Sequence, residues 1–230
     1  MRSADTYRPV ARLTCMMKRC GLLVLAAAAT AAAQPSPRLQ LKNVKSETVT
    51  YKGKACLRLT DVDLNAPDGA RLAIVGGTDF ADGTIELELA GDTVPDAPPA
   101  MRGFTGIAFR VADGGAAYES FYLRPRNGRA EDQEQRNHSA QYVSFPDFPW
   151  QRLRQQSPSK YESYVDLVPG EWTRMKVEVH GVKARLFVNG SNQPALIVND
   201  LKRGSSHGSV AYWIGPGTVA HFADLRIGKE

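Results

Sequence analysis

Apolar and polar residues alternate with a period of two along most of the chain after residue 50, the pattern of strands with one buried face. Ile85-Glu-Leu-Glu-Leu89 is the clearest case, introduced by Asp82-Gly83 and closed by Gly91. Leu57-Arg-Leu59 and Val62-Asp-Leu64 alternate ahead of it, before a turn at Ala66-Pro-Asp-Gly69. Ile107, Phe109 and Val111 share one face of the next strand, and Asp113-Gly-Gly115 turns it in hairpin fashion into a partner over 118–124. Met175, Val177 and Val179 point inward from 172–180. His180-Gly-Val-Lys183 then turns into 184–188, and Asn189-Gly190 turns again. Strands at 210–214 and 221–227 close the series. No run keeps a helical period over three turns. The elements therefore predict an all-β sandwich or barrel, a single domain over 39–230.

The first 33 residues break this pattern. Arg8, Arg12, Lys18 and Arg19 precede a run, Gly21–Ala33, made almost wholly of Leu, Val and Ala. Ala31-Ala32-Ala33 offers small residues to a signal peptidase, which predicts a signal peptide over 1–33, with Gln34 as the new N-terminus and Met17 as an alternative start. The run is shorter than the roughly 20 residues a bilayer span needs, and Cys20 lies before it, where no lipid anchor would sit. The expectation is export to the periplasm or beyond the cell, with no stable membrane insertion after cleavage. Residues 34–38 read as a Pro/Ser linker.

Charge and cysteine change meaning once that segment is set aside. The formal net charge of the whole chain is +5. Residues 1–33 hold five of the bases and one of the acids, so the remainder carries +1. A nucleic-acid surface loses its compositional support, and no nucleic-acid partner is expected. Cys15 and Cys20 leave with the leader, so Cys56 stands alone and the fold must rest on its core instead of a disulfide. In Ala55-Cys56-Leu57 it reads as a small buried hydrophobe.

The stretch 124–150 is the richest in candidate chemistry. Its first half is almost all polar, and it ends in Phe145-Pro-Asp-Phe-Pro-Trp150. A long polar connection inside a β domain is functional or disordered, and rigid aromatics and prolines favour order. Alternation places Tyr118, Ser120, Tyr122 and Arg124 on one face of their strand, Arg110 on the polar face of 106–111, Tyr142 on that of 141–145, and Tyr164 and Asp166 on that of 163–167. Aromatic faces stack on sugar C–H surfaces, and planar polar groups bond paired hydroxyls. A carbohydrate groove is thus expected from Arg110, Tyr122, Arg124, Tyr142 and Tyr164, with Asn127, Arg129, Asn137, Gln141 and Trp150 from the long connection. His138, amid polar neighbours, is the candidate for proton transfer, with Asp132 as its partner.

Other chemistry finds less support. Glu86 and Glu88 share a strand face at roughly 6.5–7 Å spacing, which resembles the Glu-x-Asp-x-x-Glu strand of family-16 glucanases. Here Glu86-Leu-Glu88-Leu-Ala-Gly lacks the central Asp and the third acid. Asp61-x-Asp63-x-Asn65 has the outline of a calcium loop, but Val62 and Leu64 read as strand and the later Gly and Glu are missing. No His/Cys spacing supports zinc, and no phosphate loop or nucleophile elbow is present. No cofactor is expected, and a structural calcium held through backbone oxygens stays open.

Several segments together carry a resemblance: Phe80-x-x-Gly83-Thr-Ile-Glu-Leu-Glu-Leu, Gly106-Ile-Ala-Phe-Arg, Tyr118-Glu-Ser-Phe-Tyr-Leu-Arg-Pro, Gly170-Glu-Trp-Thr-Arg-Met-Lys-Val, Lys183-Ala-Arg-Leu-Phe-Val-Asn-Gly190 and Gly208-Ser-Val-Ala-Tyr-Trp. Over most of 50–228 the chain resembles the concanavalin A-like, laminin-G-like jelly roll. More narrowly, it is similar to exported bacterial domains of the 3-keto-disaccharide hydrolase, family-16-like type. The resemblance implies two antiparallel sheets in a sandwich. Scaffolds of this kind carry lectins, adhesion modules and glycosidases. Three classes therefore stand: a glycan-binding module, a glycoside hydrolase or lyase working in the same groove, and a cell-envelope protein-interaction module.

Overall fold

A computed structural model describes residues 38–66, 69 and 71–229. The signal peptide expected over 1–33 and all of the 34–38 linker except Arg38 lie outside the described residues. The first strands are β1 (Leu39–Lys42), β2 (Val44–Tyr51), β3 (Lys54–Asp61) and β4 (Leu72–Phe80). Next come β5 (Gly83–Thr93), β6 (Thr105–Val111) and β7 (Tyr118–Leu123), then helix α1 (Gln133–Asn137) and β8 (Ala140–Phe145). Helix α2 (Trp150–Gln156), β9 (Glu162–Ser163), β10 (Thr173–His180) and β11 (Lys183–Val188) follow. The last strands are β12 (Leu196–Val198), β13 (Gly208–Ile214) and β14 (Thr218–Lys229).

These strands form two seven-stranded sheets, ordered β1-β4-β13-β6-β7-β8-β9 and β12-β11-β10-β5-β14-β3-β2, with antiparallel pairing throughout. They pack as an all-β jelly-roll sandwich, the architecture the alternation and the motifs predict. Ile85, Leu87 and Leu89 of β5 are buried, while Glu86 and Glu88 between them face outward. Val177 and Met175 of β10 sit opposite Ile85 and Leu87, so both strands send the same face inward. From the other sheet, Phe109 meets Phe121 at 6.2 Å between ring centroids and Phe80 at 6.3 Å. Each such side chain contributes about 1.5–3 kcal/mol on burial, so the core holds the fold without a disulfide. Cys56 is free and buried, as expected.

Turns follow the local chemistry. Lys52 and Gly53, joining β2 to β3, have φ of 45° and 80°, the pair of left-handed residues that matches the twist of a tight hairpin. Two expectations need correction. The 124–150 stretch is not one long loop. A short 3-10 turn at Pro125–Asn127, helix α1 and strand β8 organise it, and β8 lies inside a sheet between β7 and β9. Strand β3 ends at Asp61, so Val62–Leu64 is not strand.

Side chains of Arg71 and Asp61 are fully buried, with Nε 2.8 Å from Asp61 Oδ1. Arg71 also donates to the carbonyls of Asp63 (2.5 Å) and Ala66 (3.2 Å). Asp61 Oδ2 accepts from Gly217 N at 2.8 Å. The Asp61 carboxylate and the carbonyls of Asp63 and Ala66 thus surround a guanidinium, while Asp63 Oδ1 accepts from Asn65 N instead.

Candidate functional site

The outer face of the β1-to-β9 sheet is where the sequence gathers aromatics. Gly106 in β6 lies between Trp213 of β13 and Tyr122 of β7 in the register. With no side chain at 106, the two rings meet over it at 4.5 Å between centroids and 25° between planes. Phe104 stacks on Tyr122 at 5.6 Å. Phe145, opposite Tyr118 in the register, stacks on that ring at 5.1 Å. Tyr118 Oη donates to Gly69 O (2.5 Å) and accepts from Trp213 Nε1 (2.9 Å). Pro149 and Trp150, at the start of α2, add a wall. The result is a cleft of about 310 Å³, whose lining also includes Met101, Arg102 and Val143.

The glycine is a sensitive point. A methyl group on Gly106 would lie 2.2 Å from Phe121 O and 2.6 Å from Tyr122 Cβ. Gly106→Ala should therefore cost about 1–3 kcal/mol through overpacking and splay the Tyr122–Trp213 stack. Loss of near-UV circular dichroism with unchanged far-UV signal would register it.

Beside the cleft lies a buried polar cluster centred on Arg124. Its Nη2 donates to Tyr122 Oη and Gln141 Oε1, both at 3.0 Å, and its Nη1 to His138 O at 2.8 Å. The guanidinium sits 5.2 Å from the centroids of Phe104 and Tyr122 and 5.7 Å from that of Trp150. Gln141 is fixed in turn by the carbonyls of Tyr142 and Tyr161. Glu162 completes the cluster. It accepts from Arg154 Nε (2.8 Å) and Nη2 (2.5 Å), and lies 2.7 Å from His138 Nδ1 and 3.4 Å from Arg124 Nη1. Burial raises the Glu162 carboxyl, but the Arg154 bonds and the neighbouring positive charges outweigh it and hold it below the usual range. Burial pushes His138 below the usual imidazole range against the pull of Glu162.

The structure sorts the expected residues into two groups. Tyr122, Arg124, Asn127, His138, Gln141 and Trp150 come together. Asn127 Nδ2 donates to His138 O at 3.1 Å and joins the cluster. The others do not. Arg110 is buried, with φ of 52°, and clamps Ala81 O (2.9 Å), Gly204 O (2.6 Å), Gly181 O (2.8 Å) and Asp82 Oδ1 (2.9 Å). Tyr142 faces the core. Its Oη donates to Glu119 at 2.5 Å and accepts from Lys202 N at 2.8 Å. Arg129 is exposed and pairs with Asp166, and Tyr164 with Arg136. Asn137 accepts from Gln133 on exposed α1. Asp132 caps α1 through Gln135 N at 2.7 Å, so the carboxylate at His138 is Glu162 instead. Glu86 and Glu88 lie on the other sheet, held by Arg174 and Lys54. Among the described residues no three His, Cys, Asp or Glu side chains converge as a metal site.

Sequence reasoning missed Phe104, Trp213, Arg154 and the buried Glu119. Trp213 carried a signal, since it ends an alternating strand motif. Glu119 carried none, because its partners Tyr142 and Arg203 are remote in sequence. Burial raises the Glu119 carboxyl despite its bonds to Tyr142 and Arg203 N. A folded pKa above the unfolded one contributes stability that is present below the ordinary carboxylate pKa and lost as pH rises through the folded value. Wild type should therefore gain on Glu119→Gln as pH falls from 7 to 4, which urea unfolding at each pH would check.

Solved structures that share this architecture include two from Bacillus subtilis. The carbohydrate-binding module CBM66 from Bacillus subtilis aligns with a TM-score of 0.56 at 12% identity, covering 83% of this chain and 94% of that one. A Bacillus subtilis protein of unknown function with a galectin-like fold aligns with a TM-score of 0.52 at 15% identity, covering 83% and 89%. At these identities the likeness concerns the fold, which is the jelly roll that the motifs resemble. The chain matches no family model, and no curated protein is similar to it in sequence.

Proposed function

We propose that this chain is an exported carbohydrate-recognition domain whose glycan docks at the cleft of Phe104, Tyr122, Trp150 and Trp213. One observation carries the reading: rings from β6's approach, β7, β13 and α2 converge in one open cleft, braced from behind by the Arg124–Glu162 cluster. Rigid aromatic surfaces held in place before binding cost little to order, which is what stacking on a sugar face requires. CBM66, named as a carbohydrate-binding module, supports the same reading by analogy of fold. Export rests on the leader expected over 1–33.

The test is a titration of the purified protein with a panel of neutral mono- and oligosaccharides, followed by tryptophan fluorescence. Trp150→Ala should abolish the response to any sugar that binds, and Tyr164→Ala should leave it within about twofold. The reading fails if Trp150→Ala binds as wild type does.

A further inference from the structure

We infer that the ligand is an aryl glycoside: its flat aromatic substituent enters the cleft while the sugar stays at the rim. This rests on the glycan-binding reading above and narrows it to a ligand class. The two tyrosine hydroxyls in the cleft are committed within the protein. Tyr118 Oη bridges Gly69 O and Trp213 Nε1, and Tyr122 Oη accepts from Arg124. A pyranose is ringed by hydroxyls. Pushed fully into such a cleft, they would give up water without replacement. An aryl ring pays no such penalty. The remaining lining suits it: Phe104, Phe145, Trp150 and Trp213 offer ring surface, and Met101 a polarizable thioether.

Size and the position of polarity agree with this. An apolar cavity of about 150 Å³ is enough to take benzene, and this cleft has about 310 Å³. Two residues of the lining add hydrogen-bonding groups, Trp150 and Arg102. Trp150 is half-buried at the first turn of α2. Arg102 lies on the lining between this cleft and the neighbouring 97–102 loop, and among the described residues its side-chain hydrogen bonds run from Nη1, to Pro99 O and Met101 O. A planar guanidinium and an indole N–H suit a pair of sugar hydroxyls. A mainly apolar lining that also carries a guanidinium and an indole N–H fits a ligand that is aromatic at one end and hydroxylated at the other.

Calorimetric titration of the full protein with matched phenyl and methyl β-glycosides of glucose, galactose, mannose and xylose, together with phenol, tests this. For a recognised sugar, the phenyl glycoside should bind at least tenfold more tightly than the methyl glycoside. Phe104→Ala should reduce that ratio below threefold. Met101→Ala gives a milder version of the same change if Phe104→Ala fails to fold. Equal affinity for phenyl and methyl glycosides overturns the aryl inference and leaves the glycan reading standing. Phenol binding as tightly as the phenyl glycosides, or no binding by any member, overturns both.

Discussion

Arg71→Met will destabilise the fold by about 3–5 kcal/mol, because it leaves the Asp61 carboxylate buried without its partner. Both side chains are wholly buried, with Nε 2.8 Å from Oδ1, and the same guanidinium satisfies the carbonyls of Asp63 and Ala66. No ammonium reaches those acceptors in one plane, so Arg71→Lys should fall between wild type and Arg71→Met. For a domain of this size the loss corresponds to a fall in Tm on the order of 10 °C. The double variant Arg71→Met with Asp61→Asn should recover part of it, since the stranded charge is removed. Thermal and urea unfolding of the three variants check this. A loss below about 1 kcal/mol for Arg71→Met would show that water reaches Asp61.

Trp213→Ala will weaken glycan binding by about 30-fold or more, roughly 2 kcal/mol, the scale of a central aromatic anchor. The residue sits on β13, between β4 and β6 in its sheet, and its indole stacks on Tyr122 while its N–H holds Tyr118. Its removal also costs about 3–5 kcal/mol of stability, so binding must be read below the unfolding transition. Trp213→Phe separates the two effects: it keeps ring surface in the cleft but drops the bond to Tyr118 Oη. It should bind within about tenfold of wild type.

What the sequence disclosed, and what it hid, follows from burial on one face or two. Strands β5 and β10 bury one face each, so their alternation is clean and their inward residues were assigned correctly. Strands β6, β7 and β8 are covered on both sides, with every residue buried except Phe145, which is half-buried. Alternation there has no polar phase to reveal direction. That is why Tyr142 was placed on the groove face when it points at Glu119, and why Val143 and Phe145 line the cleft instead. Arg110 was misplaced for a second reason. The pairing of β6 with β13 shifts register between Ser209 and Ala211, and Arg110 takes a positive φ at the bulge. Such a bulge re-aims a side chain without any mark in composition. The Arg124 cluster was half legible: Tyr122, Arg124 and Gln141 were found, but Arg154 enters from α2. Phe104 precedes its strand and carried no periodic signal.

The most direct test of the cleft uses the three tryptophans as reporters. Trp150 and Trp213 line the cleft, whereas Trp172 packs near Tyr51 at 5.9 Å and under Lys54 on the other sheet. Indole N–H resonances should be followed by NMR while a binding glycan is titrated in. The account predicts saturable shifts for Trp150 and Trp213 with Trp172 unmoved. Movement of Trp172 alone, or none of the three moving while binding saturates, would contradict it.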